Sequence, residues 1–300
     1  VGGRPMVNYV LETVLGINNL GKVVLVGPSE LQNSNPNIIY TPCKDSLVAN
    51  LKEGVNALGK DKSPYLLVVT SDIPLISTEA VNDFITQCLS YSAKVYYPVV
   101  PREVNEEQYP EVQRTYFTLK EGTFTGGNIM LLAPDILEDQ YELVEQLVAM
   151  RKKPAKIIKM LGVRFIFKFV RKNLSLSEIE ERAEEILGFS GKAIISNYPE
   201  VGIDVDKPSD LALMEHIFNK KNKMKRIITL GACAILLTIS CQKKDGKTEK
   251  TTTVKDSVVE VEEVASVADG EMCFLQVVSK DSMMLTIKKE GENISGTYKS

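Results

Sequence analysis

Residues 65–77 read YLLVVTSDIPLIS, and this stretch sets the expected fold of the chain. Its apolar run at 66–69 is typical of a strand buried on both faces, as in a parallel sheet flanked by helices. Pro74 ends such a strand because proline has no N–H group to donate to a neighbouring strand. Asp72 is therefore predicted to lie just past the carboxyl end of a central strand, the edge at which open α/β sheets bind ligands.

Asp72 has two interpretations on this stretch alone. In the first, its carboxylate holds a divalent cation beside a substrate phosphate, since hard cations prefer oxygen ligands. In the second, it only caps the turn that leads into the helix predicted after Ser77. The stretch does not separate the two interpretations.

Helix and strand patterns alternate from the start of the chain to about residue 220. Apolar residues recur at helical spacing in 7–15 and 47–58, whereas the short apolar runs at 22–26 and 94–100 are typical of strands. Repeated strand–helix units of this length predict an α/β fold with a mostly parallel, doubly wound sheet. Further along, 134–188 has a helical pattern, within which Ser175 and Glu178 have the spacing of a capping box.

The composition narrows the class of protein. A chain of 300 residues with 44% hydrophobic and 25% charged residues is ordinary for a globular protein. Its net charge of -3 argues against a nucleic-acid-binding surface. With a single histidine, His216, most histidine-based metal and triad chemistry is excluded. The five cysteines include no CxxC pair, so Cys43 and Cys88 are interpreted as small buried hydrophobes in a reducing compartment.

A glycine-containing loop at 121–128 separates two predicted strands, 114–119 and 128–132. Glycine allows the backbone to approach a ligand closely. A plain tight loop is the simpler interpretation of the glycines taken alone.

A second acidic segment, VGIDVDKPSDL, occupies 201–211. We predict an alternating strand that ends at the carboxylates Asp204 and Asp206, followed by a helix that starts at Pro208. This arrangement repeats that of Asp72, an acid at a strand end before a proline. Carboxylates that converge on one sheet edge can hold a Mg²⁺ that also bridges phosphate oxygens, so the pair favours the metal-binding interpretation of Asp72.

Residues 1–220 resemble the MobA-like nucleotidyltransferases, whose relatives include molybdenum-cofactor guanylyltransferases and the cytidylyltransferases of sugar and isoprenoid pathways. Three segments carry the resemblance in the family's order: VGGRPMVNYVLE at 1–12, VVTSDIPLI at 68–76 and GIDVDKPSDL at 202–211. The resemblance implies a Rossmann-like (GT-A type) three-layer domain. It also implies transfer of an NMP group from an NTP to a small acceptor bearing a phosphate or a hydroxyl, with release of pyrophosphate.

The resemblance also assigns residues and partners. Asp72 and Asp206 would be the catalytic pair and would hold Mg²⁺, with Asp204 as a further metal candidate. Gly126, Gly127 and Asn128 would face the acceptor. The implied partners are an NTP and a small-molecule acceptor, and the implied location of residues 1–220 is the cytoplasm.

The start of the chain departs from the family pattern. Family members open with a strand and a glycine-rich loop, followed by a lysine, and these groups bind the triphosphate through backbone N–H donors and positive charge. Gly2, Gly3 and Arg4 belong to the segment that follows this loop. We therefore expect a sheet without its first strand and poor or absent activity.

The sequence changes character after residue 220. A basic cluster around Met224 precedes an apolar run at 227–240, and Cys241 follows. The run has about fourteen residues, short of the roughly twenty that a membrane-spanning helix needs. It is typical of a signal-peptide core, and 224–241 resembles a bacterial lipoprotein signal with a lipobox at 238–241 and Cys241 as the lipidation site.

These features divide the chain into four predicted regions. They are a nucleotidyltransferase domain at 1–220, a lipoprotein signal-like segment at 221–241, a flexible tether at 242–270 and a partial β-strand region at 271–300. One hypothesis is that two neighbouring reading frames are joined, in which case 221–300 packs little against the α/β domain. The other is a single cytosolic enzyme with a buried helix at 227–240.

The division leaves two classes of function. The first is a Mg²⁺-dependent nucleotidyltransferase, which we prefer because its region is the longer one. The second is a membrane-anchored lipoprotein or envelope binding protein, with 224–300 exported and anchored through Cys241 when expressed separately.

Overall fold

A computed structural model describes residues 1–17, 21–32, 35–59, 63–150, 161–220, 271–277, 282–290 and 293–296. The helices described are α1 (Met6–Leu15), α2 (Leu47–Leu58), α3 (Thr78–Cys88), α4 (Arg102–Gln108), α5 (Asp135–Asp139), α6 (Tyr141–Met150), α7 (Val163–Val170), α8 (Leu176–Leu187) and α9 (208–220). The strands described are β1 (Val23–Gly27), β2 (Ile38–Pro42), β3 (Tyr65–Val69), β4 (Val95–Pro101), β5 (Phe117–Thr118), β6 (Thr123–Gly126), β7 (Ile129–Leu132), β8 (Gly191–Ile195), β9 (Glu271–Val277), β10 (Ser282–Glu290) and β11 (Asn293–Gly296).

One sheet contains these strands in the order β2-β1-β10-β9-β3-β7-β4-β6-β5, with β8 beside β4 and β11 beside β10. Strands β2, β1, β3, β4 and β8 run in one direction: β1–β2 and β4–β8 are parallel pairs, and β3 and β4 each lie antiparallel to β7. The sheet is mixed rather than mostly parallel as predicted, because β6, β7 and β10 each lie antiparallel to their neighbours. The predicted α/β, Rossmann-like fold class is confirmed.

Helices cover both faces of the sheet, as the apolar run of the central strand predicts. Leu67 and Val69 of β3 pack in a core that includes residues of α1 and α3. Leu66 and Val68 point to the opposite face and pack in a second core with residues of α2. Because successive side chains of a strand alternate between faces, a strand between two helical layers must be apolar at every position.

Serine residues begin three of the helices. The side chains of Ser46 and Ser77 accept hydrogen bonds from backbone N–H groups at the starts of α2 and α3. Ser175 and Glu178 form the predicted capping box at the start of α8, in which each side chain accepts from the other residue's backbone N–H. These caps satisfy N–H groups that have no partner within their own helix.

The C-terminal strands enter the middle of the sheet. Strand β9 lies parallel to β3, with Tyr65 opposite Met272, and β10 lies antiparallel to β1, with Val23 opposite Leu285. The expectation that 221–300 packs little against the α/β domain is therefore wrong for these strands. The physical reason is that β1 and β3 both present backbone N–H and C=O groups toward the space between them, and unpaired groups there are unfavourable.

The remainder of the C-terminal region is not described. The signal-like segment, the tether and Cys241 lie outside the described residues. The boundaries of the four regions stay predictions. None of the helices in the described part of the chain is long and apolar enough to cross a membrane.

Two predicted strands are shorter or absent. The stretch at 114–119 is a strand only at Phe117–Thr118, and the predicted strand at 201–206 is a 3-10 helix at Pro199–Gly202 followed by irregular chain. The alternation at 201–206 has a different cause. Val201 is buried with residues of the sheet and Ile203 is buried with Leu75 and Met214. Hydrogen bonds to Asn128 and Asp72 hold the segment across the strand ends rather than within a ladder.

Candidate active site

Asp72 lies just beyond the carboxyl end of β3, as the opening stretch predicts. Two backbone hydrogen bonds hold this turn. The N–H of Thr70 donates to the carbonyl oxygen of Asn128 at 3.1 Å, and the N–H of Val205 donates to the carbonyl oxygen of Asp72 at 2.9 Å. The end of β3 is thereby tied both to the start of β7 and to the acidic segment near the C-terminus of the α/β domain.

Three carboxylates meet at this edge of the sheet. Asp72, Asp204 and Asp206 each offer one oxygen, and these oxygens all lie within 4.8 Å of one another. Asp72 and Asp204 are half-buried, whereas Asp206 is exposed. The structure thus brings together the three acids that the sequence singles out, although the segment that carries two of them is not a strand.

The pKa values of Asp72 and Asp206 are both raised. Burial raises the pKa of Asp72 to about 6, the charges of Asp204 and Asp206 add to the shift, and the Thr70 hydroxyl opposes it. The pKa of Asp206 is also raised, first by the charge of Asp204 and then by burial, while Arg114 opposes the shift. The site therefore holds more negative charge than its own cations balance.

Arg114 is the cation closest to the cluster. Its guanidinium forms an ion pair with the carboxylate of Asp204, and each of the two side chains is only 16% exposed. The Arg114 Nε is buried and has no hydrogen-bond partner among the described residues. Asp204 is therefore compensated, whereas the described side chains place no ion pair on Asp72 or Asp206.

Two polar atoms at this turn lack partners as well. The Asp72 Oδ1 and the Asn128 Nδ2 are both buried, and the described part of the chain supplies neither of them with a hydrogen bond. A buried polar group without a partner costs about 1–3 kcal/mol, so such a group at a sheet edge is typical of a place that a ligand completes. An all-oxygen set of carboxylates and a hydroxyl fits a hard divalent cation such as Mg²⁺.

The predicted loop at 121–128 contains strand β6 (Thr123–Gly126), and packing explains the glycines at its end. A Cβ on Gly126 would stand 2.6 Å from the Tyr97 Oη, and a Cβ on Gly127 would stand 2.6 Å from the Pro98 Cγ and 2.9 Å from the Val201 Cγ1. No side chain fits between β4 and the 3-10 helix at these positions. The carbonyl oxygen of Gly127 also accepts a hydrogen bond from the Tyr97 hydroxyl at 2.8 Å.

The comparisons with known proteins agree with this geometry. The family model described as "MobA-like NTP transferase domain" matches residues 1–165. The chain belongs to this family. A solved structure described as a hypothetical transferase from Thermus thermophilus is 36% identical in sequence, and the similarity covers 70% of this chain and 87% of that one with a TM-score of 0.61. No curated protein matches the chain.

Two more distant solved structures are also similar to this MobA-like chain. One is described as CMP:2-keto-3-deoxy-manno-octonic acid synthetase complexed with CTP, with 12% identity, coverage of 73% of this chain and 89% of that one, and a TM-score of 0.48. The other is 4-diphosphocytidyl-2C-methyl-D-erythritol synthase from Anaerococcus prevotii DSM 20548, with 13% identity, coverage of 73% and 88%, and a TM-score of 0.45. At these scores neither adds to the assignment.

A cavity of about 290 Å³ opens beside the acidic cluster of this transferase-family domain. Its charged lining residues are Arg114, Asp204, Asp206, Lys207 and Asp210. The Lys207 Nζ lies 3.9 Å from an Asp210 oxygen. A small ligand in this cavity would contact both cations and carboxylates at the end of the sheet.

Sequence reasoning missed two polar groups of the site. The sequence pattern gives Thr70, in the opening stretch, no role in the site. It places Arg114 only at the start of a predicted strand. No spacing rule links Arg114 to Asp204, which lies 90 residues further along the chain. The predicted roles of Asp72, Asp204 and Asp206, and those of the glycine loop, stay predictions, and the predicted lipidation site lies outside the described residues.

Proposed function

We propose that the α/β domain is a Mg²⁺-dependent nucleotidyltransferase. It would move an NMP group from an NTP to a small acceptor that bears a phosphate or a hydroxyl, with release of pyrophosphate. The observation that supports this proposal most directly is the convergence of the Asp72, Asp204 and Asp206 oxygens within 4.8 Å at the sheet edge of a MobA-like NTP transferase domain. Because NTPs are kept in the cytoplasm, the proposal locates this domain there.

The charge balance of the cluster supports a divalent cation. Arg114 compensates Asp204, which leaves the negative charges of Asp72 and Asp206 without an ion pair. Burial raises the pKa of Asp72 to about 6, so the negative charge of Asp72 favours a cation that compensates it. Two carboxylates with a nearby third match the charge and the oxygen preference of Mg²⁺, so we assign Asp72 and Asp206 as the principal ligands and Asp204 as a further one.

The reaction needs positioning and charge neutralisation more than covalent chemistry. When bound, the cation neutralises charge on the NTP phosphates. The acceptor oxygen attacks the α-phosphorus in line, a new P–O bond forms, and the bond to the pyrophosphate leaving group breaks. Asn128 is assigned to the acceptor because its buried Nδ2 lacks a partner beside the turn of Asp72. Gly126 and Gly127 bring this part of the backbone close to β4.

Metal binding tests the proposal before any acceptor is known. Titration of the full chain with Mg²⁺ in a calorimeter is expected to show binding that Asp72→Asn and Asp206→Asn each weaken at least about tenfold, because each removes one anionic ligand. Asp45→Asn serves as the matched control, since Asp45 is an exposed acid outside the cluster. Mg²⁺ binding that survives both cluster substitutions unchanged would contradict the proposal.

The catalytic part of the proposal has a separate readout. Incubation of the chain with each of the four NTPs and a mixture of phosphorylated and hydroxylated small molecules should release pyrophosphate slowly at most, in line with the low activity expected from the sequence, and only when Mg²⁺ is present. The Asp72→Asn chain should release none above background. Release of inorganic phosphate instead of pyrophosphate would indicate a hydrolase rather than a nucleotidyltransferase.

A further inference from the structure

The ion pair between Arg114 and Asp204 divides the acidic cluster into unequal parts. Asp204 has a cation in contact, whereas Asp72 and Asp206 have none among the described side chains. All three carboxylates nevertheless lie within the same 4.8 Å. Asp204 is therefore within reach of a cation held by the other two acids, but Arg114 already balances the charge of Asp204.

Arg114 also faces the space where a substrate would lie. It lines the cavity beside the cluster, and its Nε is buried without a partner. A guanidinium offers five N–H donors in a planar fork, and this geometry matches two oxygens of a phosphate as well as it matches a carboxylate. Asp204 uses only part of this capacity.

The charges of the cavity determine which ligand can use Arg114. Lys207 lies near Asp210, and Asp210 accepts hydrogen bonds from the backbone N–H groups of Asp206 and Lys207 at 3.2 Å each. With Arg114 engaged by Asp204, the remaining field is negative. A free phosphate is repelled by this field, whereas a phosphate that arrives with a divalent cation is not.

We propose that Arg114 is a positioning residue that exchanges partners when a cation-bound phosphate enters the site. Its guanidinium leaves the carboxylate of Asp204 for the phosphate oxygens, and Asp204 becomes an additional ligand for the cation held by Asp72 and Asp206. This inference rests on the proposed function and adds that divalent cation and phosphate bind cooperatively.

The exchange follows from the unfavourable energy of an isolated half-buried charge. If the cation binds alone, Asp204 remains on Arg114. If phosphate alone takes Arg114, the Asp204 carboxylate loses its partner. When both ligands enter together, Arg114 has the phosphate and the three carboxylates have the cation, so no charge of the site is left without a partner. By thermodynamic linkage, each ligand then increases the affinity for the other by the same factor.

Calorimetric titration of the full chain with Mg²⁺ alone, and with inorganic pyrophosphate in the presence and absence of Mg²⁺, tests the exchange. In the unaltered chain, pyrophosphate should bind at least about tenfold more tightly when Mg²⁺ is present. Arg114→Gln should bind Mg²⁺ alone several-fold more tightly, because Asp204 is released. The same variant should lose about tenfold or more of its Mg²⁺-dependent pyrophosphate affinity, since a charge-assisted fork is removed.

Two further variants complete the test. Asp204→Asn leaves Arg114 without its carboxylate, so this variant should bind pyrophosphate without Mg²⁺ more tightly than the unaltered chain does. The double variant Arg114→Gln/Asp204→Asn removes both members of the ion pair and strands neither, so it should fold, and its pyrophosphate affinity should depend less on Mg²⁺ than that of the unaltered chain. Arg171→Gln removes the same charge from an exposed position after α7 and should change neither affinity.

The exchange would be overturned if Arg114→Gln kept the affinity of the unaltered chain both for Mg²⁺ alone and for pyrophosphate with Mg²⁺. Arg114 and Asp204 would then form a structural ion pair only. The exchange would also be overturned by pyrophosphate binding in Asp204→Asn that is no tighter than in the unaltered chain. A different result would contradict the proposed function itself: Asp72→Asn would then bind Mg²⁺ as tightly as the unaltered chain does.

Discussion

The backbone N–H of Val205 donates a hydrogen bond of 2.9 Å to the carbonyl oxygen of Asp72. Val205 stands between the two acids of the second acidic segment, so this bond fixes Asp204 and Asp206 against the end of β3. The three carboxylates are therefore held together by the backbone. Charge repulsion among them cannot separate them without breaking this bond, so it adds to the burial that raises the pKa of Asp72 and is the first cause of the raised pKa of Asp206.

The first prediction concerns pH and Asp72. Its pKa is about 6 in the folded chain and near 3.8 in an unfolded one. The folded state thus keeps a proton that the unfolded state releases, so the free energy of unfolding is expected to fall as the pH rises from about 4 to 6. At pH 7.5, Asp72→Asn should be the more stable chain by roughly 2 kcal/mol, with a smaller difference at pH 4.

Urea unfolding of both chains across this pH range measures the effect. Asp45→Asn, an exposed acid, should track the unaltered chain at every pH. Parallel stability curves for Asp72→Asn and the unaltered chain from pH 4 to 7.5 would show that the Asp72 carboxyl is not strained by its surroundings.

The second prediction concerns Gly127. An alanine there places its Cβ against Pro98 and Val201, which belong to two different elements of the fold. We expect Gly127→Ala to lower the free energy of unfolding by about 2 kcal/mol, in the range of overpacked core substitutions. Gly191→Ala is the matched control, because the nearest atom to its Cβ is 3.9 Å away. Equal thermal midpoints for the two variants would contradict the packing explanation of the glycine loop.

The third prediction compares two serine caps. Ser46 only caps α2, whereas Ser77 caps α3 and also donates a 2.6 Å hydrogen bond to the buried carboxylate of Glu200. Ser46→Ala should cost about 1 kcal/mol of stability. Ser77→Ala should cost about 2–3 kcal/mol, because it also leaves a buried carboxylate oxygen without its donor. Chemical denaturation gives both values. If Ser77→Ala cost no more stability than Ser46→Ala, the hydrogen bond from Ser77 to Glu200 would contribute nothing to stability.

The fourth prediction concerns the C-terminal hairpin of β9 and β10. Deletion of 271–300 leaves β1 and β3 facing an unfilled space, so the remaining chain should lose at least about 3 kcal/mol of stability through unpaired ladder groups. Deletion of 293–300 alone removes only β11, which pairs with β10 at the side of the main strand order, and should have a much smaller effect. Backbone amides of β1 and β3 should exchange with solvent faster after the longer deletion. Identical exchange rates in the two truncated chains would restore the expectation that the C-terminal region packs independently.

The parts of the fold that were predictable rest on local patterns. The run at 66–69 predicts β3 and the position of Asp72, because full burial of a strand demands apolar residues at every position. The caps at Ser77 and Ser175 likewise depend only on neighbouring residues. A residue such as Asp72, at the carboxyl end of a strand, can be predicted from sequence because the strand, the turn and the start of the next helix follow one another within a few positions.

The parts that were missed depend on contacts between distant segments. The alternation of Val201 and Ile203 is the same whether their neighbours belong to a ladder or, as here, to the end of a sheet. No pattern in the neighbouring sequence singles out Arg114, because its role depends on the ion pair with Asp204, which is distant in the sequence. The pairing of β9 with β3 is equally hidden, because strand pairing at long range leaves no periodicity in the sequence.

The pairing of Tyr65 with Met272 has a consequence for the order of folding. During synthesis, β1 and β3 emerge long before β9 and β10, so the growing chain passes through a period in which the centre of its sheet has two open edges. Closing a loop of this length is entropically slow, and contacts between such distant residues form late. Open edges recruit strands from other chains. Refolding yield should therefore fall steeply with protein concentration, and the nascent chain is most exposed to aggregation just before β9 and β10 arrive.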